Sequence, residues 1–518
     1  MLAGSLELFL VALGLTYFLA LTICGLRAIR EARKSGGHRL PAAPARGRSA
    51  RGRPLQSGRQ SRLSASWQGL HSRLQVPDAQ PPVGVSIDPA SCVVYFLVPC
   101  LNEELVIEET VRALLKDRRA RVVVIDDASD DRTGGLAGAV DPDRVSVVRR
   151  MLPDARRGKG PALNAGLSRV LADAAARGIA PAQTIVCVMD ADGRLSPGAL
   201  ESVLPLFADE QVGGVQLPVR IRNRETLLTA MQDVEFWGVC AIAQLGRSGT
   251  GTVSLGGNGQ FTRLSALLEI GTSPWQAQLT EDLDLALALA TRGWRLVSTP
   301  RAYVSQQGLT GLRALVRQRS RWYQGHMQAI RWLRPLWESR RLSHLGMLEL
   351  TMYLLVPWLL VLPWSIVFNY DLALIGAWIA GWTSGPLSDA DLTQKIGTIF
   401  FWYAMSCIPI WMAGYLYSRQ QRNMGFFRGL LVCHLLLLGN YVTYAACWRA
   451  LYRIAIGEHG WQKTQRHEEQ PSTPPTSQRP VTAMAIAVPA PRQPADEWQR
   501  MLAGGVPAGQ AGPAIARQ

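Results

Sequence analysis

The sequence contains few cysteines, and they form none of the patterns that give cysteine a structural role. Its 518 residues include eight cysteines, with no CxxC pair and no cluster of cysteine and histidine. We therefore expect neither a structural zinc site nor a disulfide framework. Free thiols are the simpler interpretation, as in proteins of the reducing cytosol. A P-loop is absent as well, because no segment has the GxxxxGK(S/T) spacing.

Lysine and arginine are missing before the first long apolar stretch, residues 6–24. That stretch lacks the basic start of a cleavable signal peptide, yet it is long enough to span a bilayer. Arg27 and Arg30 follow it at once, which favours a retained anchor with its carboxyl end in the cytoplasm. The basic tract continues to Arg62 without an aromatic residue, and the chain has a net charge of +16. Because the tract adjoins a membrane segment, we expect no nucleic-acid partner.

The hydrophobic residues, 48% of the chain, are clustered rather than evenly spread. Beyond the first stretch, apolar segments of membrane-spanning length lie near 347–368, 396–417 and 428–449. A fourth segment, 372–383, is too short to span unless it is extended or re-entrant. This clustering predicts a multi-pass protein of the cell (plasma) membrane, with the lipid bilayer as a partner.

Composition divides the chain into six predicted segments. They are an N-terminal transmembrane anchor (1–30), a basic disordered linker (31–90), a cytoplasmic globular domain (91–308), amphipathic interface helices (309–345), three or four transmembrane helices (346–450) and a largely disordered Pro/Ala-rich tail (451–518). The linker and the tail are expected to be disordered because they contain too few apolar residues to form a core.

The central domain alternates apolar runs with helix-like segments. Strands are predicted at 92–99, 121–126, 145–150 and 184–190, and a helix is predicted over 102–117. Continuous apolar strands separated by helices indicate an α/β fold with a largely parallel sheet covered on both faces. In such sheets the ligand binds beyond the carboxyl ends of the strands.

Two acidic pairs follow these strands. Asp126 and Asp127 end the second predicted strand, and Asp190 and Asp192 end the fourth. At an extended strand end, residues two apart point the same way, so Asp190 and Asp192 are expected to converge. Their repulsion would be relieved by a hard divalent cation that also binds a diphosphate. A surface turn, which the Asp-Gly sequence favours, is the alternative.

A third acidic site, Thr280-Glu281-Asp282, opens a helix-like segment. Thr280 suits an N-cap, and acids in the first turn of a helix stabilise it through the helix dipole. The functional alternative makes Asp282 a general base that takes a proton from an acceptor hydroxyl.

Lys159 is a glycine-flanked cation at a predicted helix start, in RRGKGPALNAG. Backbone N–H groups and a lysine at such a place suit a phosphate. A solvated basic loop is the alternative interpretation of the same residues.

Residues 309–345 are basic and aromatic, and their apolar positions recur at helical spacing. A basic amphipathic helix with tryptophans is expected to lie at a membrane interface, which accounts for most of these arginines. It does not account for the grouping of Gln318, Arg321 and Trp322.

Six motifs stand in a fixed order along the chain. They are VPCLNEE (98–104), DDASDD (126–131), GKGPALNAG (158–166), DADG (190–193), TED (280–282) and QRSRW (318–322). Together they resemble the membrane-integrated, processive-type branch of the family 2 glycosyltransferases, which includes cellulose, hyaluronan, curdlan and poly-N-acetylglucosamine synthases. The resemblance implies a nucleotide-sugar-binding domain of the glycosyltransferase A type beside an α-helical transmembrane region.

The resemblance also implies a donor site for a nucleotide-diphosphate sugar, most simply a UDP-sugar. Its expected contacts are Asn102, Glu103, Asp126, Asp127, Lys159, Asp190, Gln318 and Arg321. Asn102 and Glu103 would lie near the uridine and Lys159 at the diphosphate. Asp190 and Asp192 would hold Mg²⁺ or Mn²⁺.

The predicted catalytic pair is Glu281 and Asp282, with Asp282 matching the general base of an inverting transfer. Arg321 suits the charge that develops on a leaving diphosphate. Trp322 matches the residue that binds the acceptor sugar, and GGNGQF (256–261) would place backbone groups near the acceptor.

The expected enzyme is an inverting hexosyl- or N-acetylhexosaminyltransferase that extends a growing β-linked polysaccharide and moves the polymer across the membrane. The alternative is a single transfer to a membrane lipid, which forms a glycolipid. A third hypothesis is a catalytically silent membrane scaffold, and the presence of every carboxylate of the motifs argues against it. The sequence identifies no export partner.

Overall fold

The structure is a computed structural model. It describes residues 2–34, 84–380, 392–420, 426–458 and 460. Most of the predicted linker, from 35 to 83, and the tail from 461 onward lie outside these residues. One helix, α1 (Leu2–Lys34), precedes the central domain and contains the predicted anchor.

Among the residues that the structure describes, ten strands form two sheets. They are β1 (Val93–Cys100), β2 (Ala120–Asp126), β3 (Val145–Arg149), β4 (Thr184–Val188), β5 (Arg194–Leu195), β6 (Val212–Gln216), β7 (Val219–Ile221), β8 (Gln260–Arg263), β9 (Arg295–Ser298) and β10 (Val304–Gln306). The larger sheet has the order β3-β2-β1-β4-β8-β6-β9. Only β8 runs antiparallel to its neighbours in this sheet, and every other neighbouring pair is parallel. The prediction of a largely parallel sheet is confirmed.

Helices cover both faces of the larger sheet. Those of the domain are α2 (Ile107–Leu114), α3 (Thr133–Gly138), α4 (Lys159–Ala176), α5 (Ala199–Val203), α6 (Leu227–Asp233), α7 (Ala241–Arg247), α8 (Leu264–Ile270) and α9 (Glu281–Thr291). Phe96 of β1 packs in a cluster with Ile107 of α2. Leu97, the next residue, packs on the other face with Leu163 of α4 and Leu285 of α9. This alternation explains why β1 reads as a continuous apolar run.

The helix predicted from residue 102 is wrong at its start, because α2 begins at Ile107. The backbone N–H groups of Asn102 and Glu103 donate to the side chains of Ser129 and Thr133 instead. These partners come from the loop after β2, so local sequence gives no sign of them.

A smaller sheet of order β5-β10-β7 lies beyond the carboxyl end of β4. Strand β10 runs antiparallel to β5 and parallel to β7. It brings Gln306 and the following Gln307 close to the DADG segment, as the hydrogen bonds below show.

Helix α6, a π-helical segment (Val234–Cys240) and α7 form one continuous helical stretch that α1 crosses. At the crossing, a Cβ added to Gly25 would lie 2.5 Å from the backbone oxygen of Ile242, and one added to Gly246 would meet the backbone of Leu21. The carboxyl end of α1 is also held, because Arg301 donates to the Ala32 carbonyl oxygen at 2.5 Å. Thus α1 packs directly on the central domain.

The basic segment after the domain forms α10 (Leu312–Gln328), a 3₁₀ turn (Ala329–Trp332) and α11 (Leu333–Glu338). Several of its arginines pair with carboxylates. Arg319 lies 2.8 Å from Glu235, and Arg334 lies 2.7 Å from Glu338. Arg319 and Arg334 thus each have a carboxylate partner, and the position of this segment at a membrane interface stays a prediction.

In the described residues four apolar helices follow: α12 (His344–Leu355), α13 (Leu362–Ile379), α14 (Leu392–Gln420) and α15 (Phe426–Ala455). A π-helical segment (Val356–Val361) joins α12 to α13, so the apolar residues from 372 to 379 continue the preceding helix rather than start a new one. In the part of the chain that the structure describes, two stretches are long and apolar enough to cross a membrane, Ala12–Ala32 and His344–Ala377.

Candidate active site

The loop after β1 is fixed to the loop after β2. Asn102 has a left-handed backbone with φ 53°, a conformation that asparagine tolerates better than most residues. Its N–H donates to Ser129 Oγ at 3.0 Å, and its Oδ1 accepts from the Asp130 N–H at 2.8 Å. The Glu103 N–H donates to Thr133 Oγ1 at 2.8 Å. The two loops therefore form one rigid edge beyond the sheet.

The two aspartates that follow β2 are both buried and both paired with arginine. Asp126 accepts from the Ser129 N–H and from Arg149 Nη1, each at 2.8 Å. Asp127 accepts from the Arg156 N–H at 3.0 Å and from Arg150 Nη1. Burial raises the pKa of Asp127, and the Arg150 guanidinium opposes that rise. Asp126 thus orders the loop, whereas Asp127 ties it to the segment that leads to Lys159.

The DADG segment is a turn, and the expectation of an extended strand end is wrong. Strand β4 ends at Val188, and the Gly193 N–H donates to the Asp190 carbonyl oxygen at 2.8 Å, closing the turn. Asp190 remains partly exposed, and its Oδ1 accepts from Lys159 Nζ at 2.7 Å. Asp192 is fully buried, and its Oδ2 accepts from the Gln307 N–H at 2.9 Å. The segment is therefore a turn, as the alternative predicted, but Asp192 is buried rather than on the surface, and metal binding by these carboxylates stays a prediction.

Lys159 joins three separate segments. Its Nζ donates to Asp190 Oδ1 and, at 2.8 Å, to the Gly257 carbonyl oxygen. Gly257 has φ +65°, and a Cβ there would lie 3.1 Å from both Lys159 Nζ and Asp282 Oδ2. Only glycine adopts this backbone readily and leaves that space open. The structure therefore brings Lys159, Asp190 and Asp282 together around one point.

This cluster carries more negative than positive charge. Burial raises the pKa of both Glu281 and Asp282; Lys159 opposes the rise for each. Burial lowers the pKa of Lys159, but Asp190 and Glu281 outweigh it, so the net shift is upward. The carboxylates of Asp190, Glu281 and Asp282 thus all raise the pKa of the Lys159 ammonium group.

A divalent cation suits this excess of negative charge. Asp190 and Asp192 offer carboxylate oxygens, the donors that Mg²⁺ and Mn²⁺ prefer. Among the described residues, no group of three or more His, Cys, Asp and Glu side chains is arranged to hold a metal ion.

Thr280 precedes α9 but makes no side-chain capping bond, so the predicted cap is wrong in that respect. The Thr280 side chain packs instead on α10, where a Cβ added to Gly325 would lie 2.5 Å from Thr280 Oγ1. Residues four apart share a face of a helix, so Arg321 lies on the face of α10 that carries Gly325. The TED segment and the QxxRW helix are therefore in direct contact.

Trp322 lies on another side of α10. The Arg319 guanidinium is 4.3 Å from the centre of its ring, and the Phe236 ring meets it edge-on at 6.1 Å. Arg319 covers one face of the indole, so any sugar stacked on Trp322 would use the other.

Three residues near DADG were not singled out from the sequence. Asn258 accepts from the Asp190 N–H at 3.2 Å and donates to Gln306 Oε1 at 2.8 Å. Arg222 donates to the Asp192 carbonyl oxygen at 2.8 Å. The Gly-Asn-Gly sequence of GGNGQF was a visible signal for Asn258, because paired glycines often mark a tight backbone at a site. Arg222 and Gln306 reach the site from the small sheet and have no local signal.

Asp284, two residues after Asp282, joins α9 to the turn after α10. It is buried and accepts from Arg331 Nη2 at 2.5 Å and from Trp332 Nε1 at 2.8 Å. These hydrogen bonds are a second contact, besides that of Thr280 with Gly325, between the TED motif with its helix α9 and the segment that carries QxxRW.

Comparison with known proteins gives a match for most of the central domain. Residues 89–325 match the family model described as glycosyltransferase-like family 2. A beta-monoglucosyldiacylglycerol synthase of Synechocystis is 32% identical over 323 residues, 58% of this chain and 64% of that protein. A poly-beta-1,6-N-acetyl-D-glucosamine synthase of Staphylococcus aureus is 28% identical over 236 residues, 44% of this chain and 53% of that protein. The chain thus spans less than two thirds of the length of either relative.

One solved structure that matches this chain is that of the mannosyltransferase PcManGT from Pyrobaculum calidifontis, in complex with GDP-Man and Mn²⁺. The match has a TM-score of 0.42 and 20% identity, and it covers 78% of this chain and 98% of that one.

Proposed function

Because residues 89–325 form a family 2-like glycosyltransferase domain, we propose that this enzyme transfers one sugar from a nucleotide-diphosphate donor to a membrane lipid. The meeting of Lys159, Asp190 and Asp282 at Gly257 is the observation that carries the transfer chemistry. The mostly parallel sheet and the family match support a domain of the glycosyltransferase A type. In the proposed arrangement the protein crosses the membrane more than once, and this domain lies on the cytoplasmic side.

The donor would lie along the carboxyl edge of the larger sheet. Asn102, Glu103 and the Asp126–Asp127 pair would bind the nucleoside, since their loops form one rigid edge. Lys159 would bind the diphosphate in place of its present carboxylate partner. Asp190 and Asp192 would hold Mg²⁺ or Mn²⁺, which would neutralise phosphate charge when bound.

Asp282 would act as the general base. It accepts the proton of the acceptor hydroxyl while the acceptor oxygen bonds to the anomeric carbon and the bond from that carbon to the diphosphate breaks. The released electron pair stays on the nucleoside diphosphate, where Lys159 and Arg321 would stabilise the charge. Attack opposite to the leaving group inverts the anomeric configuration. The pKa of Asp282, raised by burial, makes it a stronger base than an exposed aspartate.

Two observations support a lipid acceptor. The sequence is 32% identical to a protein named for the synthesis of monoglucosyldiacylglycerol. In addition, α10 with its QxxRW residues packs against α15, so the site lies beside apolar helices. A hydroxyl at the end of a lipid would reach Asp282 from that side.

Synthesis of a polysaccharide is the second candidate. The similarity to the poly-N-acetylglucosamine synthase favours it. It differs from the first candidate in the number of sugars added before release.

The test is a panel of donors and acceptors with the full chain in nanodiscs. UDP-glucose, UDP-N-acetylglucosamine, UDP-glucuronate and GDP-mannose would each be supplied with Mn²⁺, with and without diacylglycerol. We expect one donor to yield a mono-glycosylated lipid, with no product in the matched Asp282→Asn protein. Polymer formed without added lipid would contradict the proposal and favour the second candidate. Chelation by EDTA should abolish turnover, and Mn²⁺ should restore it.

A further inference from the structure

A cavity of about 220 Å³ lies between the central domain and the apolar helices. Its walls come from α1, α6 with the following π-helical segment, α10 and α15. Apolar side chains form most of the lining, including Phe18, Leu228, Met231, Val239, Leu315 and Leu436. A single water occupies roughly 30 Å³, so the cavity has room for a ligand of several non-hydrogen atoms.

The charged part of the lining is an ion pair, and Gln232, Asn440 and Thr443 add uncharged polar groups. Glu235 and Arg319 lie 2.8 Å apart, and both border the cavity. The Arg319 side chain is 8% exposed, whereas that of Glu235 is 42% exposed. Because the pair neutralises itself, it adds no net charge to the cavity.

The same arginine connects the cavity to the QxxRW residues. Its guanidinium lies 4.3 Å from the Trp322 ring centre and 5.0 Å from that of Phe236. Trp322 and Arg321 are consecutive on α10, and the face with Arg321 and Gly325 packs on Thr280. A molecule seated in the cavity would thus have its end near the acceptor side of the site.

We propose that this cavity binds part of one acyl chain of a neutral acceptor lipid of the diacylglycerol type, with the lipid hydroxyl directed past Trp322 toward Asp282. The inference rests on the proposed lipid acceptor. A glycan chain would need many hydrogen-bonding groups along its path, and the lining is mainly apolar. An anionic lipid would need a free cation, and Arg319 is already paired with Glu235.

The first test measures occupancy without turnover. A diacylglycerol that carries a photoactivatable diazirine on one acyl chain would be incorporated into nanodiscs with the full chain and irradiated. We expect labelled peptides from residues 228–239 and 436–443, with labelling reduced by unlabelled diacylglycerol. Labelling confined to other parts of the chain would overturn the inference.

The second test fills the cavity. Val239→Trp places an indole in this space, and we expect the KM for diacylglycerol to rise about tenfold, equivalent to about 1.4 kcal/mol. Hydrolysis of the donor without acceptor should stay at the wild-type rate, which would show that the domain is folded. The matched control is Leu312→Trp, because Leu312 also lies at this face of the molecule but is 56% exposed and outside the lining.

The outcomes separate the two proposals. If the wild type glycosylates diacylglycerol and Val239→Trp does so with unchanged KM, the cavity assignment is wrong and the function stands. If the wild type glycosylates no lipid, the proposed function fails. Competed labelling of the cavity would then still support lipid binding there.

Discussion

Glu281 and Asp282 are acidic side chains whose ionised forms the fold disfavours. Burial raises the pKa of both, so each binds its proton more tightly in the folded state than in the unfolded chain. As the pH rises from about 4, the ordinary range of such groups, toward their raised values, the fold loses stability. At neutral pH the cost of releasing these protons therefore weakens the fold, while the raised pKa makes Asp282 a stronger base.

Replacing Asp282 should separate its effect on the stability of the fold from its effect as the general base. In Asp282→Asn we expect turnover to fall about a hundredfold to ten-thousandfold, because the general base is lost. The melting temperature in detergent should rise, because one buried charge is removed. Glu281→Gln should also raise the melting temperature. A lower melting temperature in both variants would contradict the assigned direction of the pKa shifts.

The pH dependence of turnover should report the ionisation of Asp282. The rate should rise with pH as Asp282 loses its proton, with a midpoint above the value of about 3.9 for an ordinary aspartate. Lys159 lowers the pKa of Asp282, so Lys159→Met should move this midpoint to higher pH besides slowing the reaction. A profile of kcat against pH at saturating substrates measures both. If the midpoint is unchanged in Lys159→Met, Lys159 and Asp282 do not interact as assigned.

Among the elements, α9 and the segment after α10 are held together by Asp284. Asp284→Leu removes the acceptor for Arg331 and Trp332. Bonds to a charged acceptor contribute about 1.5–3 kcal/mol, and the partly exposed Arg331 recovers some of this from water. We expect a lower melting temperature and a lower kcat, with an unchanged KM for the donor.

Asp284→Asn is the matched control, because it keeps an acceptor for the Trp332 N–H. It should retain more of the activity than Asp284→Leu. Equal losses in the two variants would show that the hydrogen bond to Trp332 contributes nothing to the docking of α9.

The sequence predicted strands better than the connections between them. Strands β1, β2 and β4 were visible because burial on both faces demands continuous apolar runs. Strand β3, at the edge of the sheet, is partly exposed and was visible from its three valines. Strand β8 and the small sheet were not, because their few residues acquire partners only through distant contacts such as Asn258 with Gln306. The turn at Asp190 was wrongly drawn as a strand end for a similar reason: its geometry depends on Gln307 and Asn258. The roles of the individual site residues stay predictions.

Across the whole molecule, one buried polar group joins α1, α7 and α12. Arg247 Nε lies 2.8 Å from Glu349 Oε1, and the Tyr17 hydroxyl donates to the same oxygen at 3.0 Å. The Arg247 guanidinium also lies 3.8 Å from the centre of the Tyr353 ring. The three helices are far apart in the sequence, and they meet at this group.

Arg247→Met would leave Glu349 buried without its cation. We expect a loss of about 3–5 kcal/mol in the free energy of unfolding, seen as a lower melting temperature. Adding Glu349→Leu should restore most of it, since no charge then remains. The matched control is Arg112→Met, which breaks an exposed pair with Glu108, 60% and 45% exposed, worth about 0–1 kcal/mol. If Arg247→Met and Arg112→Met lower the free energy of unfolding equally, the buried group contributes no more to stability than the exposed pair.

The crossing of α1 over α7 has a consequence for chain connectivity. Lys34 and Gly84, at the two ends of the segment 35–83, both belong to parts of the chain that pack on the same domain. The position of α1 on the domain is therefore fixed by packing as well as by the peptide connection between them. A protease site inserted at its middle should, once cut, leave two fragments that comigrate in gel filtration with activity retained. Separation of the fragments would mean that the peptide connection, rather than the Gly25–Gly246 crossing, keeps α1 on the domain.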